Sequence, residues 1–165
     1  MRGEISVSTK ALMGIYKHTV DAKGRMAFPN KLRDALGSQF IVTIGLEGCL
    51  YVYSEEEWEI FTDKLKSLGG SLAKAAKRKY AANAVFAETD SQGRILLSQN
   101  LREHAGLGHD VIVIGNINRA EIWNPERWDK FNEEYSVDGY KVNLVKVDTQ
   151  STVAGTETAI KALIE

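Results

Sequence analysis

The chain has 165 residues, 44% of them hydrophobic, with 21 Lys plus Arg against 22 Asp plus Glu. That apolar content supports an ordinary core in one domain or two small fused ones and excludes wholesale disorder. The near-neutral charge excludes a nucleic-acid binder that works through bulk positive charge, so any such binding has to come from local patches.

Residues 1–12 show no clear periodicity and read as an N-terminal extension. The opening Met1-Arg2-Gly3-Glu4-Ile5-Ser6 lacks the apolar core of a secretory signal, and no apolar run nears the roughly 20 residues that span a bilayer. A cytoplasmic protein is expected. Residues 15–20 and 25–28 read as strands flanking Asp21-Ala22-Lys23-Gly24. This is a tight hairpin in which the aspartate accepts hydrogen bonds from the following backbone and the glycine takes a left-handed conformation. Pro29 starts a short helix through Leu36, and Gly37 ends it. Lys17, Lys23, Arg25, Lys31 and Arg33 make this stretch basic, with Asp21 against them.

A pair of strands follows, 40–44 with 50–53. Cys49 lies in the apolar run Cys49-Leu50-Tyr51-Val52-Tyr53; a single cysteine forms no intramolecular disulfide, and it is expected to be a buried, inert thiol. Ser54-Glu55-Glu56-Glu57 is a capping-box sequence that opens a helix carrying Trp58, Phe61 and Leu65, an apolar stripe expected to serve packing. Residues 71–84, rich in Ala, Lys and Arg, read as a connecting helix whose basic residues form a solvated face.

The pattern then recurs. Asp90-Ser91-Gln92-Gly93-Arg94-Ile95-Leu96-Leu97 echoes Asp21-Ala22-Lys23-Gly24-Arg25-Met26-Ala27-Phe28 at an offset of 69 positions. Leu101-Arg102-Glu103 and Gly106 answer Leu32-Arg33-Asp34 and Gly37. One inserted residue later, Ile114-Gly115, Trp123, Glu126, Trp128 and Phe131 answer Ile44-Gly45, Tyr53, Glu56, Trp58 and Phe61. The second copy therefore predicts strands at 85–89 and 94–97 around its turn, and a helix capped by Ser98 that runs to Ala105. A strand pair, 111–114 with 120–123, comes next. A helix opened by Asn124-Pro125 closes the copy, with Trp128, Phe131 and Tyr135 as its stripe. Residues 137–165 do not repeat and turn polar, with a weak final helix at 157–164.

The histidines His18, His104 and His109 lack metal-ligand spacing, and there is no nucleophile elbow or phosphate loop. Catalysis, a metal, a cofactor and a small-molecule substrate are not expected.

The run Met13-Gly14-Ile15-Tyr16-Lys17-His18-Thr19-Val20-Asp21-Ala22-Lys23-Gly24-Arg25-Met26-Ala27-Phe28-Pro29 precedes Leu32-Arg33, and Asp90-Ser91-Gln92-Gly93-Arg94 precedes Leu101-Arg102. This arrangement resembles the MraZ family over roughly residues 13–135. The resemblance implies a mixed α/β, β-rich fold: two tandem AbrB-like (SpoVT-AbrB) repeats, 13–68 and 85–136, joined through 69–84 and interlocked as a pseudo-twofold double-split β-barrel with flanking helices. It also implies a ring-shaped homo-oligomer, associated with the nucleoid, that binds double-stranded promoter DNA at short direct repeats. The genes implied are those of cell division and wall synthesis, and through them the chain's own operon. AbrB-like domains also occur in antitoxins, so a protein-interaction module acting through residues 137–165 stands as the alternative.

A two-stranded ribbon is one of the elements that the major groove admits. Lys23 offers a point charge to phosphate, while the planar fork of Arg25 suits phosphate or a guanine edge. With Lys31, Arg33, Arg94 and Arg102 these are the candidate DNA-binding residues; the arginines matching Arg25 and Arg33 are the ones the AbrB-like resemblance implicates. The competing reading is an ion pair with an aspartate or with a neighbouring subunit. Asp21, Gly24, Asp90 and Gly93 are counted as scaffold. Since Lys23 becomes Gln92 and Lys31 becomes Asn100, the first copy is expected to bear more of the electrostatic load.

Overall fold

A computed structural model describes residues 11–134. The extension before residue 11, Tyr135 of the second apolar stripe, the polar tail and its final helix lie outside the described residues. Among the described residues eight strands run in chain order: β1 Ile15–Thr19, β2 Arg25–Ala27, β3 Gln39–Ile44, β4 Leu50–Ser54, β5 Val85–Glu88, β6 Arg94–Leu96, β7 Asp110–Gly115 and β8 Ala120–Trp123. The helices are α1 Asn30–Leu36, α2 Glu55–Ser67, α3 Gly70–Ala82, α4 Gln99–Ala105 and α5 Pro125–Glu134. Residues 11–125 form one compact unit; α5 from Glu126 belongs to a second and carries no buried side chain. Among the described residues no helix is long and apolar enough to cross a membrane.

The two Asp-X-X-Gly turns form, yet the strands on either side of each turn do not make a hairpin ladder. Between β1 and β2 there is one isolated bridge, Val20 with Met26. Instead β1 pairs with β7, β5 pairs with β3, and β2 pairs with β6. Each partner belongs to the other repeat. Pairing within a repeat fails because β2 is taken up by β6. The N–H groups of Phe28 and Leu97, just past the two strands, extend that ladder by donating to the carbonyls of Gly93 and Gly24 in the opposite turns, at 3.1 and 2.8 Å.

The result is a six-stranded sheet in the order β1-β7-β8-β4-β3-β5 and a separate two-stranded ribbon, β2-β6. The resemblance implied a double-split β-barrel; no closed barrel is seen among the described strands, whose larger sheet is open with β1 and β5 as its edges. Exchanging the repeats maps that strand order onto itself. Two equivalent positions meet themselves in the register, Met26 opposite Ile95 in the ribbon and Tyr51 opposite Glu121 in the sheet.

The core lies between ribbon and sheet. Met26 and Ile95 point inward from the ribbon, Val42, Leu50, Val52, Val111, Val113 and Ile122 from the sheet, and Leu32, Leu36, Leu101 and Ala105 from the two short helices. Phe28 and Phe40 close it with ring centroids 5.2 Å apart. Two turns of helix are not stable alone, so α1 and α4 owe their existence to this burial. Ser98 caps α4 by accepting from the Leu101 N–H, and Gly106 ends it in the left-handed region. Pro29 sits at the N-cap of α1, one position earlier than the first helical turn predicted from sequence.

The opposite face of β3 and β4 is covered by α2 and α3. Tyr53 stacks on Phe61 at 5.1 Å, and Trp58 and Tyr80 complete the cluster, so the stripe on α2 does serve packing. Ser54 accepts from the Glu57 N–H at 3.1 Å, half of the expected capping box. Cys49 is fully buried, and desolvation pushes its thiol pKa well up, as expected of an inert cysteine. Glu121, 4% exposed, accepts from Asn116, Arg119 and the Trp123 indole, while the Arg119 guanidinium lies 3.8 Å from the Tyr51 ring centroid. Leu12 is buried too and pairs with Ile117, so the fold begins inside the segment read as an extension.

Interlocked strands make a specific demand on fragments. A polypeptide of residues 11–82 lacks partners for β1 and β2, and should fold only by pairing with a second copy of itself. Sedimentation equilibrium and circular dichroism over a concentration series would check this: folded signal is expected to appear together with dimer mass. A folded monomer of the fragment would contradict the exchange.

Candidate nucleic-acid interface

The two turns are built alike, atom by atom. In the first, Asp21 Oδ1 accepts from the backbone N–H groups of Lys23 and Arg25, both at 2.9 Å, and Oδ2 accepts from Arg25 Nε at 2.8 Å. In the second, Asp90 Oδ1 accepts from Gln92 and Arg94 at 2.9 Å, and Oδ2 from Arg94 Nε at 2.9 Å. The Gly24 and Gly93 N–H groups close the turns onto the Asp21 and Asp90 carbonyls. Each aspartate therefore does two jobs: it nucleates the turn and grips the arginine that follows.

The ion-pair reading of Arg25 and Arg94 is thus correct as geometry, but it uses one edge of each guanidinium. Only Nε donates to the carboxylate, and a guanidinium has five donors. Both side chains remain about a third exposed, at 34% and 27%. In the ribbon Arg25 stands opposite Leu96 and Arg94 opposite Ala27. Directly opposed residues share a face of a ladder, so both arginines project from the face away from Met26 and Ile95. The aspartates hold them there.

Arg33 and Arg102 reach across the repeats. A Cβ added to Gly24 would lie 3.0 Å from Arg102 Nε, and one added to Gly93 would lie 2.7 Å from an Arg33 terminal nitrogen. Each turn is therefore backed by the arginine of the other repeat's short helix. Both glycines also have positive φ, at 83° and 76°. Arg102 is anchored by donating from Nε to the Leu97 carbonyl at 3.1 Å, whereas Arg33 Nε is buried without a hydrogen-bond partner. Lys23 is exposed at the first turn and Lys31 on α1; the positions answering them are Gln92 and Asn100, and Asn100 is tied to Asn83 at 3.0 Å.

The structure thus gathers five of the six candidate side chains at the two turns and their ribbon: Arg25 and Arg94 on its face, Arg33 and Arg102 behind the turns, and Lys23 on the first turn; Lys31 stands apart on α1. Across residues 21–36 and 90–105, six Lys and Arg stand against four carboxylates, in a chain whose net charge is −1. This is a local cationic surface. The sequence reading missed the crossing of Arg33 and Arg102 because they contact turns far from them in the chain. The one signal for it was that each glycine and each helix arginine recurs at the same offset. Among the described residues no group of His, Cys, Asp and Glu could hold a metal ion.

Comparison with known proteins gives two matches to one family model, "MraZ protein, putative antitoxin-like", over residues 11–82 and 80–141. The chain is 50% identical to the transcriptional regulator MraZ of Lachnoclostridium phytofermentans over 118 residues, 71% of this chain and 84% of that protein. It is 48% identical to that of Heliobacterium modesticaldum over 124 residues, 74% of this chain and 87% of that protein. With that of Clostridium botulinum it shares 43% over 136 residues, 79% of this chain and 96% of that protein.

The aspartate grip has a pH signature. The backbone N–H of Arg25 first, then its guanidinium and the Lys23 N–H, hold the Asp21 carboxyl below its ordinary 3.8, and Arg94 with Gln92 does the same for Asp90. A carboxyl depressed in the folded state contributes stability above its unfolded value and loses it as pH falls through the folded one. Carboxyl NMR titration should find both midpoints below 3.8, with the turns intact throughout the neutral range. Arg25→Ala should move the Asp21 midpoint upward and leave Asp90 unmoved.

Proposed function

Because the chain belongs to the MraZ family, a family of transcription regulators and not of enzymes, we propose that it binds double-stranded promoter DNA through the outer face of its β2-β6 ribbon. The observation that carries this reading is the convergence of both Asp-X-X-Gly-Arg turns on one ribbon, with their arginines held on its exposed side. A rigid two-stranded element of this kind fits the major groove. Arg25 and Arg94 are the central contacts, and Lys23 and Lys31 add charge on the side of the first repeat. Arg33 and Arg102 meet the backbone beside the turns they support.

One such surface neutralises only a few phosphates, and the near-neutral chain supplies no long-range attraction to add to it. The function therefore calls for several copies acting together. We take the active form to be a ring-shaped homo-oligomer on short direct repeats. Linked binding of this sort gains about 10²- to 10⁴-fold in avidity without new contacts. The repeats expected are those upstream of the division and cell-wall gene cluster, including the chain's own operon.

Band shift with DNA from upstream of the chain's own gene tests the reading. Arg25→Ala should abolish the shift while sedimentation shows the same assembly as the unaltered protein; unaltered binding by a correctly assembled variant would sink the proposal. The affinity should also fall steeply with salt, each phosphate contact adding about −0.9 to the logarithmic slope, and scrambling the repeats should weaken binding.

A further inference from the structure

The ribbon's outer face carries one large side chain that neither the core nor the ion pairs employ. Leu96 is 63% exposed, whereas Ile95 and Leu97 on either side of it are 1% exposed. It stands directly opposite Arg25, while Ala27 stands opposite Arg94. Because side chains alternate along a strand and opposed residues share a face, Arg25, Leu96, Ala27 and Arg94 together make the whole outer face. Met26 and Ile95 make the inner one. Leu96 is thus the only large apolar group of that face, set among guanidinium groups that are themselves held in place by Asp21 and Asp90.

We propose that Leu96 is a specificity-determining contact that packs on the 5-methyl group of a thymine when the ribbon enters the major groove. The inference rests on the DNA-binding reading above. Of the groups that base edges present in the major groove, the thymine methyl is the apolar one. A ribbon seated so that its two arginines reach phosphate or guanine brings Leu96, which neighbours both of them on the same face, to the groove floor with them.

The position equivalent to Leu96 in the first repeat is Ala27, and the position equivalent to Lys23 is Gln92. The backbone of the ribbon is thus close to twofold symmetric while its face is not. A symmetric reader matches a palindrome; this face matches an element with a direction, its thymine lying on the side of Leu96. Directional elements can be repeated head to tail, which is what direct repeats are.

The test uses the shortest duplex from upstream of the chain's own gene that the full-length protein shifts. It is synthesised once with thymine and once with uracil, which lacks only the methyl group. Unaltered protein should lose roughly three- to tenfold in affinity on the uracil duplex, in keeping with one or two buried methyl-sized groups. Leu96→Ala, at an exposed position and with an unchanged thermal melt, should show a similar loss on the thymine duplex and no further loss on the uracil one. Equal binding of both duplexes by the unaltered protein, or losses that simply add, would overturn the thymine contact. If Arg25→Ala abolishes the shift while Leu96→Ala binds normally, this inference alone fails. If Arg25→Ala still binds, the DNA-binding reading fails with it.

Discussion

The ladder between Arg25–Ala27 and Arg94–Leu96 joins the two repeats at the strands that carry their turn arginines, and the rest of the molecule is arranged around it. A three-residue strand is too short to be worth much by itself. What makes the ribbon persist is that its inner side chains, Met26 and Ile95, fill the core, and that its ends are tied into the opposite turns through the Gly24 and Gly93 carbonyls. With β2 and β6 committed to each other, β1 and β5 must find partners elsewhere, and they find them on β7 and β3. Backbone groups buried without partners are costly, so no repeat can settle until the other is in place.

That dependence also explains why the turns are stiff. A loop exposed at the end of a ribbon would ordinarily fray, and its arginine would sample many rotamers. Here one carboxylate accepts three hydrogen bonds, from two backbone N–H groups and one guanidinium nitrogen, so fixing the loop and fixing the side chain are the same event. The arginine from the other repeat then closes the space behind the glycine. A ligand meeting this surface finds it already ordered, so less conformational entropy is lost on binding.

Much of this was legible in the sequence, and the limits are physical. The turns were readable because an aspartate and a glycine three residues apart act locally on their own backbone. The caps at Ser54 and Ser98 and the stop at Gly106 were readable for the same reason. The repeat itself was plain from Asp21 and Asp90 onward. Strand partnership was not, since alternation tells which side chains face the core and says nothing of which strand lies alongside. The turns therefore read as closed hairpins, when their arms in fact diverge. Arg33 and Arg102 were recognised as important, but with their destinations hidden, because a contact between repeats leaves no local trace. Leu96 read only as part of a strand; its exposure became meaningful once Arg25 was seen across from it.

The pairing of Tyr51 with Glu121 carries a consequence of its own. In an assembly of two identical chains, a residue on the twofold axis faces its own copy, and a glutamate there would confront a second glutamate in a site sealed from water. Fusing the two halves into one polypeptide lifts that restriction. Glu121 faces an aromatic ring instead, with Arg119 bonded to the carboxylate and lying over the ring. Covalent duplication thus opened to divergence a place where self-association would set two identical residues face to face.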